Sequence, residues 1–275
     1  MILRGDKLAK EINKETKKEI QKFKITPGLA VILIGNNLAS KLYVELKEKT
    51  AKQIKINFYK FYFSEKAKEN EILKIITELN QDKNVSGIIV QLPLPEKFNT
   101  NKIVQCINSK KDVDGFHKQN IKSLLTKKSK IISPLILAVI NILKSTKQNL
   151  SDKSAVIISK NKIFVKPLKI VLQKEKIACE KIEWVKEINK KTIEKIELAD
   201  IVIVGIGKAR ILKKEMIKKN AIVIDIGINK ENNKVVGDAD FKNLKNKASF
   251  ITPVPKGVGP MTVAMLMKNV LKLSR

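Results

Sequence analysis

Residues 28–47 read GLAVILIGNNLASKLYVELK, an apolar run followed by a segment with helical spacing. The apolar run, which ends at Gly35, predicts a buried β-strand, and the residues after it predict a helix that continues to about Ile56. Tyr43 and Lys47 are one helical turn apart and therefore lie on the same face of that helix. Burial lowers the pKa of a lysine towards neutrality, and a neighbouring phenol can hold or exchange its proton. The pair is a candidate acid/base site, although most lysines of this chain must simply face water.

Length and composition describe a globular protein with room for two modest domains. The chain has 275 residues, of which 43% are hydrophobic and 30% are charged. No apolar run approaches the length of a membrane span, and the amino terminus has no signal-peptide pattern. Cys106 and Cys179 have neither metal-ligand nor redox spacing, so we expect a cytoplasmic protein in a reducing compartment. His117 is the only histidine, which excludes multi-histidine metal sites and disfavours a Ser-His-Asp triad, and we predict no metal.

The net charge of +29 first suggests a nucleic-acid partner. However, only Arg4, Arg210 and Arg275 among the 56 basic residues are arginine, the residue that base readout and phosphate forks favour. The lysines are spread along the chain, interleaved with Ile and Asn, which indicates drift in genome composition. We therefore expect weak, salt-sensitive electrostatic binding of RNA without a specific nucleic-acid partner. The same charge favours anionic small ligands such as phosphorylated cofactors.

Strand-like and helical segments alternate along the whole chain. This alternation predicts an α/β fold built from parallel βαβ units, and the series after residue 153 predicts a doubly wound sheet of nucleotide-binding type. The predicted strands are residues 28–35, 56–63, 87–95, 155–159, 181–185, 200–207 and 221–228, and the predicted helices include residues 6–24, 66–80, 99–107, 131–146 and 260–273.

Several long and individually uncommon segments carry a family resemblance. In chain order they are GNNLASKLYVELK (35–47), GIIVQLPLP (87–95), KDVDGFH (111–117), DIGIN (225–229), VGDAD (236–240) and TPVPKGVGPMTVAML (252–266). Together they resemble the bifunctional methylenetetrahydrofolate dehydrogenase/cyclohydrolase family. The resemblance implies two α/β domains, an N-terminal βαβ catalytic domain and a Rossmann-like dinucleotide-binding domain, with the active-site cleft between them. We expect the folate-binding catalytic domain at residues 1–135 plus the helix 256–275, and the NAD(P)-binding domain at residues 136–255.

The resemblance also implies roles for particular residues. It makes Lys47 the catalytic lysine, Tyr43 its neighbour, Gln91 the amide that hydrogen-bonds the lysine, and Asp114 the carboxylate that grips the pterin ring. The residues expected to line the folate site are Tyr43, Gln91, Leu92, Pro93, Asp114, Pro253, Val254, Pro255, Gly257, Gly259 and Pro260. Each has a purely structural alternative, since Gln91 could end a strand and Asp114 could be a turn carboxylate.

Two neighbours of these residues have structural interpretations of their own. We interpret Asp112 as a structural carboxylate and His117 as a hydrogen-bonded loop residue. Lys256 stands where the family has a glycine in the folate loop.

The expected dinucleotide loop departs from the family pattern. In SKNKIFVKP (159–167), Ser159 and Val165 replace two glycines, and Lys160 with Asn161 replaces an Arg-Ser pair. Val165 suits the positive φ of a glycine poorly because it is β-branched, and we expect its methyl groups to project towards the phosphates. Lys160 retains a positive charge that could meet a 2′-phosphate. The expected cofactor is NADP, with NAD as the alternative, bound weakly. The residues expected to bind it are Ser159, Lys160, Asn161, Val165, Pro167, Gly205, Gly207 and Ile228.

Three functions are therefore weighed. The first is a bifunctional enzyme that oxidises methylenetetrahydrofolate with NADP and hydrolyses the methenyl product to 10-formyltetrahydrofolate. The second is a cyclohydrolase without the dehydrogenase activity. The third is a basic RNA-associated module that keeps the fold without the chemistry. The resemblance favours the first, with the dehydrogenase weakened, and implies a homodimer that serves one-carbon metabolism and purine biosynthesis.

Overall fold

The computed structural model describes residues 1–126, 131–177, 182–185, 187–232 and 234–275. The chain forms two compact units, each of which contains one parallel sheet. The first-sheet unit consists of Ala9–Pro134 and Val263–Arg275, and the second-sheet unit consists of Met1–Leu8 and Leu135–Thr262. Among the described residues, no helix combines the length and the apolar character needed to cross a membrane.

The sheet of the first-sheet unit has three described parallel strands in the order β2-β1-β3. These strands are β1 (Gly28–Ile34), β2 (Asn57–Phe63) and β3 (Gly87–Val90). Successive strands are joined by helices, as parallel pairing requires. The helices of this unit are α2 (Leu38–Gln53), α3 (Glu69–Gln81), α4 (Thr100–Cys106) and α5 (Lys118–Leu125). Most of α1 (Gly5–Phe23) and of the last helix, α10 (Val258–Leu273), also belongs to it.

Strand β1 is buried on both of its faces. Because side chains alternate across a strand, Leu29, Val31 and Leu33 pack in one apolar cluster with residues of α1, α2 and α10. Ala30 and Ile32 pack in a second cluster with residues of α3 and α4. Burial on both faces explains why the strand reads as a continuous apolar run and not as an alternating one.

The sheet of the second-sheet unit has five described parallel strands in the order β10-β7-β6-β4-β5. They are β4 (Ala155–Ser159), β5 (Ile182–Val185), β6 (Ile201–Gly205), β7 (Ile222–Asp225) and β10 (Phe250–Ile251). The first strand in sequence thus lies between the second and the third, which is one of the common doubly wound orders. The connection after β4 leads to β5 on one side, and the connection after β6 leads to β7 on the other side. The carboxyl ends of β4 and β6 therefore flank the switch point, where open α/β sheets bind ligands.

The remaining elements of this unit are short or lie between strands. They are α6 (Pro134–Ser145), α7 (Lys162–Lys174), α8 (Lys190–Leu198), a 3₁₀ turn at Lys214–Met216, the antiparallel hairpin β8 (Asn229–Glu231) and β9 (Lys234–Val236), and α9 (Phe241–Leu244).

The predicted α/β fold class and its two parallel sheets are confirmed. The sequence did not predict α5. It also did not predict the β8–β9 hairpin or β10, whose strands of two or three residues are too short for a periodic pattern. The predicted strand 221–228 ends earlier, at Asp225, because the carboxylate of Asp225 accepts a hydrogen bond from the amide of Gly227 and turns the chain. Lys181, the first residue of another predicted strand, and Cys179 lie outside the described residues.

Candidate active site

Lys47 lies on the buried face of α2. The helix begins after Asn37, whose side chain accepts a hydrogen bond from the amide of Ser40 and so satisfies a free amide of the first turn. The face towards the sheet carries Val44 and Ala51, and Lys47 lies between them in sequence. Only 6% of Lys47 is exposed, so its stem packs as an apolar side chain while its amine is withdrawn from water.

The amine of Lys47 is satisfied by Gln91, directly after β3. Lys47 Nζ donates to Gln91 Oε1 across 2.7 Å. The backbone of Gln91 is held because its amide donates to the carbonyl of Ile32 at 2.8 Å, which continues the pairing of β3 with β1. The side-chain nitrogen of Gln91 donates to the carbonyl of Leu92 at 2.7 Å. The amide is therefore anchored by its nitrogen, with its oxygen directed at the lysine.

Burial moves the pKa values of Lys47 and Asp114 towards neutral pH. Burial lowers the pKa of Lys47 to about 8, and the charge of Asp114 opposes that shift. Burial raises the pKa of Asp114 to about 6, while the charge of Lys47 lowers it and that of Asp112 raises it. The structure thus brings Lys47, Gln91 and Asp114 together in one unit, and both ionisable members can exchange protons near pH 7.

The loop that carries Asp114 is organised by Asp112, which is 1% exposed. One carboxylate oxygen of Asp112 accepts from the amide of Gly115 at 2.9 Å. The other accepts from the amide of His117 at 2.8 Å and from Asn120 Nδ2 at 2.9 Å. All of these are bonds within the loop and the start of α5, which agrees with the structural interpretation of Asp112.

His117 directly precedes α5 and is 8% exposed. Its Nδ1 accepts a hydrogen bond from the amide of Gln119 at 3.2 Å, as a helix-capping group does. This geometry agrees with the interpretation of His117 as a hydrogen-bonded loop residue.

Asn269 supports the same loop and was not singled out in the sequence. It lies on α10 and is 3% exposed. Its side-chain nitrogen donates to the carbonyls of Val113 and Ile132, each at 2.9 Å. An amide within the apolar run of a helix is the sequence pattern that could have indicated it, because a buried amide needs hydrogen-bond partners.

Tyr43 lies one turn before Lys47 on α2 and is half-buried against the cluster that contains Val44. Burial raises the pKa of Tyr43, so the phenol keeps its proton near neutral pH. Of the other residues expected at the folate site, Leu92 is half-buried and Pro93 is exposed.

The remaining expected folate residues, 253–260, belong to the second-sheet unit. Gly257 is buried and approaches backbone closely, since a Cβ there would lie 2.3 Å from the carbonyl oxygen of Pro253. Gly259 and Pro260 form the first turn of α10. Lys256 has a φ of 81°, so the backbone keeps the left-handed conformation that suits glycine, although the residue is a lysine. Pro253, Val254 and Pro255 precede it and are half-buried or exposed.

The expected dinucleotide loop connects β4 to α7. Ser159 ends β4, is buried, and is the register partner of Gly205 at the end of β6. Asn161 caps α7, because its side-chain oxygen accepts from the amides of Ile163 and Phe164 at 3.0 and 3.3 Å. Lys160 is exposed between these two residues. The loop therefore places an exposed lysine beside a helix N-terminus at the switch point.

The expectation for Val165 is wrong. Val165 lies within α7, is 1% exposed, and its amide donates to the carbonyl of Asn161 at 3.1 Å. Its methyl groups therefore pack into the protein and do not project towards a phosphate. Pro167 is likewise buried inside α7. The sequence misled because the family's glycines suggested a loop, whereas Asn161 starts the helix before Val165.

The other expected cofactor residues follow the strands beyond the switch point. Gly205 ends β6, and Gly207 has a φ of 80° with no atom within 4 Å of an added Cβ. Ile228 follows β7 and is 47% exposed. Among the described residues, no group of three or more His, Cys, Asp or Glu side chains is arranged to hold a metal ion.

Comparison with known proteins identifies one family for both parts of the chain. Residues 3–114 match the model of the tetrahydrofolate dehydrogenase/cyclohydrolase catalytic domain, and residues 134–275 match that of the family's NAD(P)-binding domain. The bifunctional protein FolD of Thermodesulfovibrio yellowstonii is 45% identical, over 98% of this chain and 95% of the relative.

Solved structures agree. The bifunctional methylenetetrahydrofolate dehydrogenase/cyclohydrolase of Campylobacter jejuni superposes with a TM-score of 0.93 at 38% identity, covering 100% of this chain and 98% of the other. The Trypanosoma brucei dehydrogenase-cyclohydrolase, solved with NADP and an inhibitor, has a TM-score of 0.93 at 28% identity, covering 100% and 97% of the two chains.

Proposed function

The chain belongs to the tetrahydrofolate dehydrogenase/cyclohydrolase family, and we propose that it interconverts 5,10-methylenetetrahydrofolate, 5,10-methenyltetrahydrofolate and 10-formyltetrahydrofolate. One step is an NADP-dependent hydride transfer, and the other is the hydrolytic opening of the methenyl ring. The observation that carries the proposal is the buried hydrogen bond between Lys47 and Gln91 beside the partly buried Asp114, in a chain that both family domains match.

The hydrolytic step requires proton movement, which Lys47 supplies. Water adds to the methenyl carbon and loses a proton, and a ring nitrogen must gain a proton before the carbon–nitrogen bond breaks. An amine with a pKa of about 8 is present in both forms near neutral pH and can serve as acceptor and donor in turn. Gln91 holds the amine in place, and general acid/base help of this kind contributes roughly 10²- to 10⁴-fold to a rate.

Substrate recognition is assigned to Asp114 and to the residues that follow β3. Asp114 accepts hydrogen bonds from the pterin ring, and its charge raises the pKa of Lys47. Leu92 and Pro93, which follow Gln91 in the same unit, line the folate. The first-sheet unit is proposed as the folate-binding domain and the second-sheet unit as the NAD(P)-binding domain. The expected bounds, 1–135 with 256–275 and 136–255, differ from these units because residues 1–8, 135 and 256–262 lie in the second-sheet unit.

The residues at the switch point fit a dinucleotide. Bound NADP would supply the acceptor for the hydride of the methylene carbon. Exposed Lys160 beside the α7 N-terminus supplies a cation for the 2′-phosphate, and the side chain of Val165 is buried and does not project towards it. Ser159, Asn161, Gly205, Gly207 and Ile228 border the same edge. A lysine meets a phosphate as a point charge without the two-pronged geometry of arginine, so binding is weaker than an arginine would give.

A cofactor titration tests the bifunctional assignment. Mixing the protein with methylenetetrahydrofolate and increasing NADP should produce the absorbance of the reduced cofactor, and Lys160→Ala should weaken NADP more than NAD. Absence of that absorbance at millimolar NADP, with methenyl hydrolysis retained, would instead identify a cyclohydrolase without the dehydrogenase activity.

Substitution of Lys47 tests the hydrolytic assignment. Lys47→Met should fold and lose methenyl hydrolysis, whereas Tyr43→Phe should cost less because it removes a hydroxyl and keeps the packing. Retained hydrolysis in Lys47→Met would reject the role of the lysine.

The proposed oligomer is a homodimer. On α2, Leu38, Leu42 and Leu46 recur every four residues and are 57%, 55% and 40% exposed. Beside them β2 lies at one end of the described sheet, and its Tyr62 is 52% exposed. An apolar stripe next to the outer strand of the described sheet suits pairing with a second copy about a two-fold axis. Leu42→Asp should convert the dimer to monomer in light scattering, while Leu198→Asp, at a site 76% exposed on α8, should not.

The proposed setting is the cytoplasm, where the product serves one-carbon metabolism and purine biosynthesis. The two cysteines without metal or redox spacing support a reducing compartment. The charge of +29 gives weak RNA binding that moderate salt abolishes. Sequence-dependent RNA binding that resists salt would favour an RNA-associated role.

A further inference from the structure

The carboxylate of Asp238 holds the loop that follows β6. Asp238 is completely buried. Its Oδ2 accepts from the amides of Ile206 and Gly207 at 2.5 and 2.8 Å, and its Oδ1 accepts from the amide of Lys208 at 3.1 Å. Three successive backbone amides that converge on one anion form the kind of concavity that elsewhere binds phosphate. Here the protein's own carboxylate fills it.

The same segment holds the loop further along. The amide of Arg210 donates to the carbonyl of Gly237 at 3.0 Å, and that of Leu212 donates to the carbonyl of Asp238 at 2.9 Å. Asn229 Nδ2 donates to Asp238 Oδ1 at 2.8 Å. Asp238 is thus the point at which the loop after β6 and the start of the β8–β9 hairpin are joined.

Asp238 is itself fixed by a reciprocal arrangement with Asp225 at the end of β7. Asp225 accepts from the amide of Asp238 at 3.1 Å. A Cβ on Gly227 would lie 2.2 Å from the carboxyl carbon of Asp238, and a Cβ on Gly237 would lie 1.9 Å from Asp225 Oδ2. Gly227, which follows Asp225 by two residues, therefore makes room for the carboxylate of Asp238, and Gly237 makes room for the carboxylate of Asp225.

This arrangement lies at the switch point. The loop begins at Gly205, the register partner of Ser159 at the end of β4. Ligands of doubly wound sheets bind between two such strand ends, so the conformation of residues 206–208 shapes one side of the site. Gly207, with a φ of 80° and open space around it, lets backbone come close to a ligand there.

From these contacts we propose that Asp238 is a positioning residue for the dinucleotide: it holds the loop Ile206–Lys208 in the conformation that binds NADP and takes no part in methenyl hydrolysis. The inference rests on the proposed function. Asp238→Asn would turn an NH₂ group towards backbone amides that now donate to the carboxylate, so at least one of these bonds is lost and the loop is released.

The test compares NADPH affinity with hydrolysis in the same preparation. Asp238→Asn should weaken NADPH at least tenfold, measured by fluorescence titration, while methenyl hydrolysis per folded molecule stays within about twofold. The matched control is Asp200→Asn, since Asp200 also accepts hydrogen bonds from a backbone amide and from a side chain, at Ser154 and Lys218, at the opposite end of β6. It should leave NADPH affinity unchanged.

Asn229→Ala decides the matter if Asp238→Asn does not fold. This variant removes one bond to the carboxylate and should weaken NADPH two- to fivefold. The inference would be overturned if NADPH affinity were unchanged in whichever of Asp238→Asn and Asn229→Ala folds. It would also be overturned if Asp200→Asn lost as much NADPH affinity as that variant. Either result would leave the proposed function intact. A wild-type protein that hydrolyses methenyltetrahydrofolate and does not bind NADPH would overturn the inference together with the dehydrogenase half of the proposal.

Discussion

The amine of Lys47 and the amide oxygen of Gln91 are 2.7 Å apart, and the amide nitrogen of Gln91 is bound to the carbonyl of Leu92. The side chain of Gln91 is therefore fixed through its nitrogen, and its oxygen is a neutral acceptor for the buried amine of Lys47. A neutral acceptor stabilises the protonated amine less than a carboxylate would, which leaves burial as the main determinant of its pKa. This relationship allows direct tests.

Gln91→Glu should raise the pKa of Lys47 above its present value of about 8, because an anion would replace the neutral oxygen. The pH midpoint of methenyl hydrolysis that reports Lys47 should move upward by about one unit or more. The measurement is the rate from pH 6 to 10 after subtraction of the uncatalysed reaction. Gln53→Glu, at an exposed position at the end of α2, is the control, and an equal shift there would contradict the explanation.

Lys47→Met should stabilise the protein at neutral pH although it abolishes hydrolysis. The folded-state pKa of about 8 lies below the ordinary lysine pKa of 10.5, so the buried ammonium destabilises the fold below pH 8. This cost disappears as pH rises from about 8 to 10.5, because the folded protein loses the proton first. Allowing for the lost bond to Gln91, we expect a gain of about 1–2 kcal/mol at pH 7.

Urea unfolding of both proteins at pH 7 and pH 10 measures this difference in unfolding free energy. Lys49→Met, an exposed position on the same helix, should change it by less than about 0.5 kcal/mol at either pH. A difference that grows with pH would contradict the assignment.

Asp112→Asn should destabilise the protein by about 2–4 kcal/mol, because the buried carboxylate accepts from two backbone amides and from Asn120, and an NH₂ group cannot accept. Hydrolysis should fall as well, since this loop carries Asp114. Chemical denaturation and the residual rate check both effects. Asp152→Asn, at an exposed turn, should leave both nearly unchanged, and a stable Asp112→Asn would show that the loop does not depend on these bonds.

Lys256→Gly should stabilise the protein by about 0.5–1 kcal/mol, because a side chain at a φ of 81° is strained and glycine is not. The measurement is the melting temperature, which should rise by a few degrees or less for a chain of this length. Lys256→Ala keeps the Cβ and should give no gain. Equal stabilisation by alanine would place the origin in the charge and not in the backbone.

Val165→Gly should not improve NADP binding, even though it restores a glycine of the family pattern. Val165 is buried within α7, so the substitution should cost about 2–4 kcal/mol through lost packing and helix propensity. Ile163→Gly, at a site 59% exposed on the same helix, should cost only about 1 kcal/mol. Tighter NADP binding by Val165→Gly would show instead that the side chain of Val165 projects towards the phosphates.

Local patterns in the sequence were enough for the architecture. A strand buried on both faces must be apolar throughout, and a helix that covers it must repeat its apolar positions, so β1 and α2 could be predicted from residues 28–47. The shorter elements could not, because two to four residues, as in β10 and α9, contain no period. They form where the neighbouring backbone offers partners.

The candidate site divides in the same way. The sequence by itself determined which residue types were present, Lys47 one turn from Tyr43, the glutamine after β3 and the aspartate pair before Gly115, because these depend on order along the chain. The family resemblance implies the bond between Gln91 and Lys47, and Asp112 is interpreted as structural from the sequence. Only the tertiary structure decided that Val165 is buried and that Asp225 and Asp238 hold loops. Burial and the direction of a hydrogen bond depend on segments far apart in sequence, and these in turn set the pKa values on which the chemistry depends.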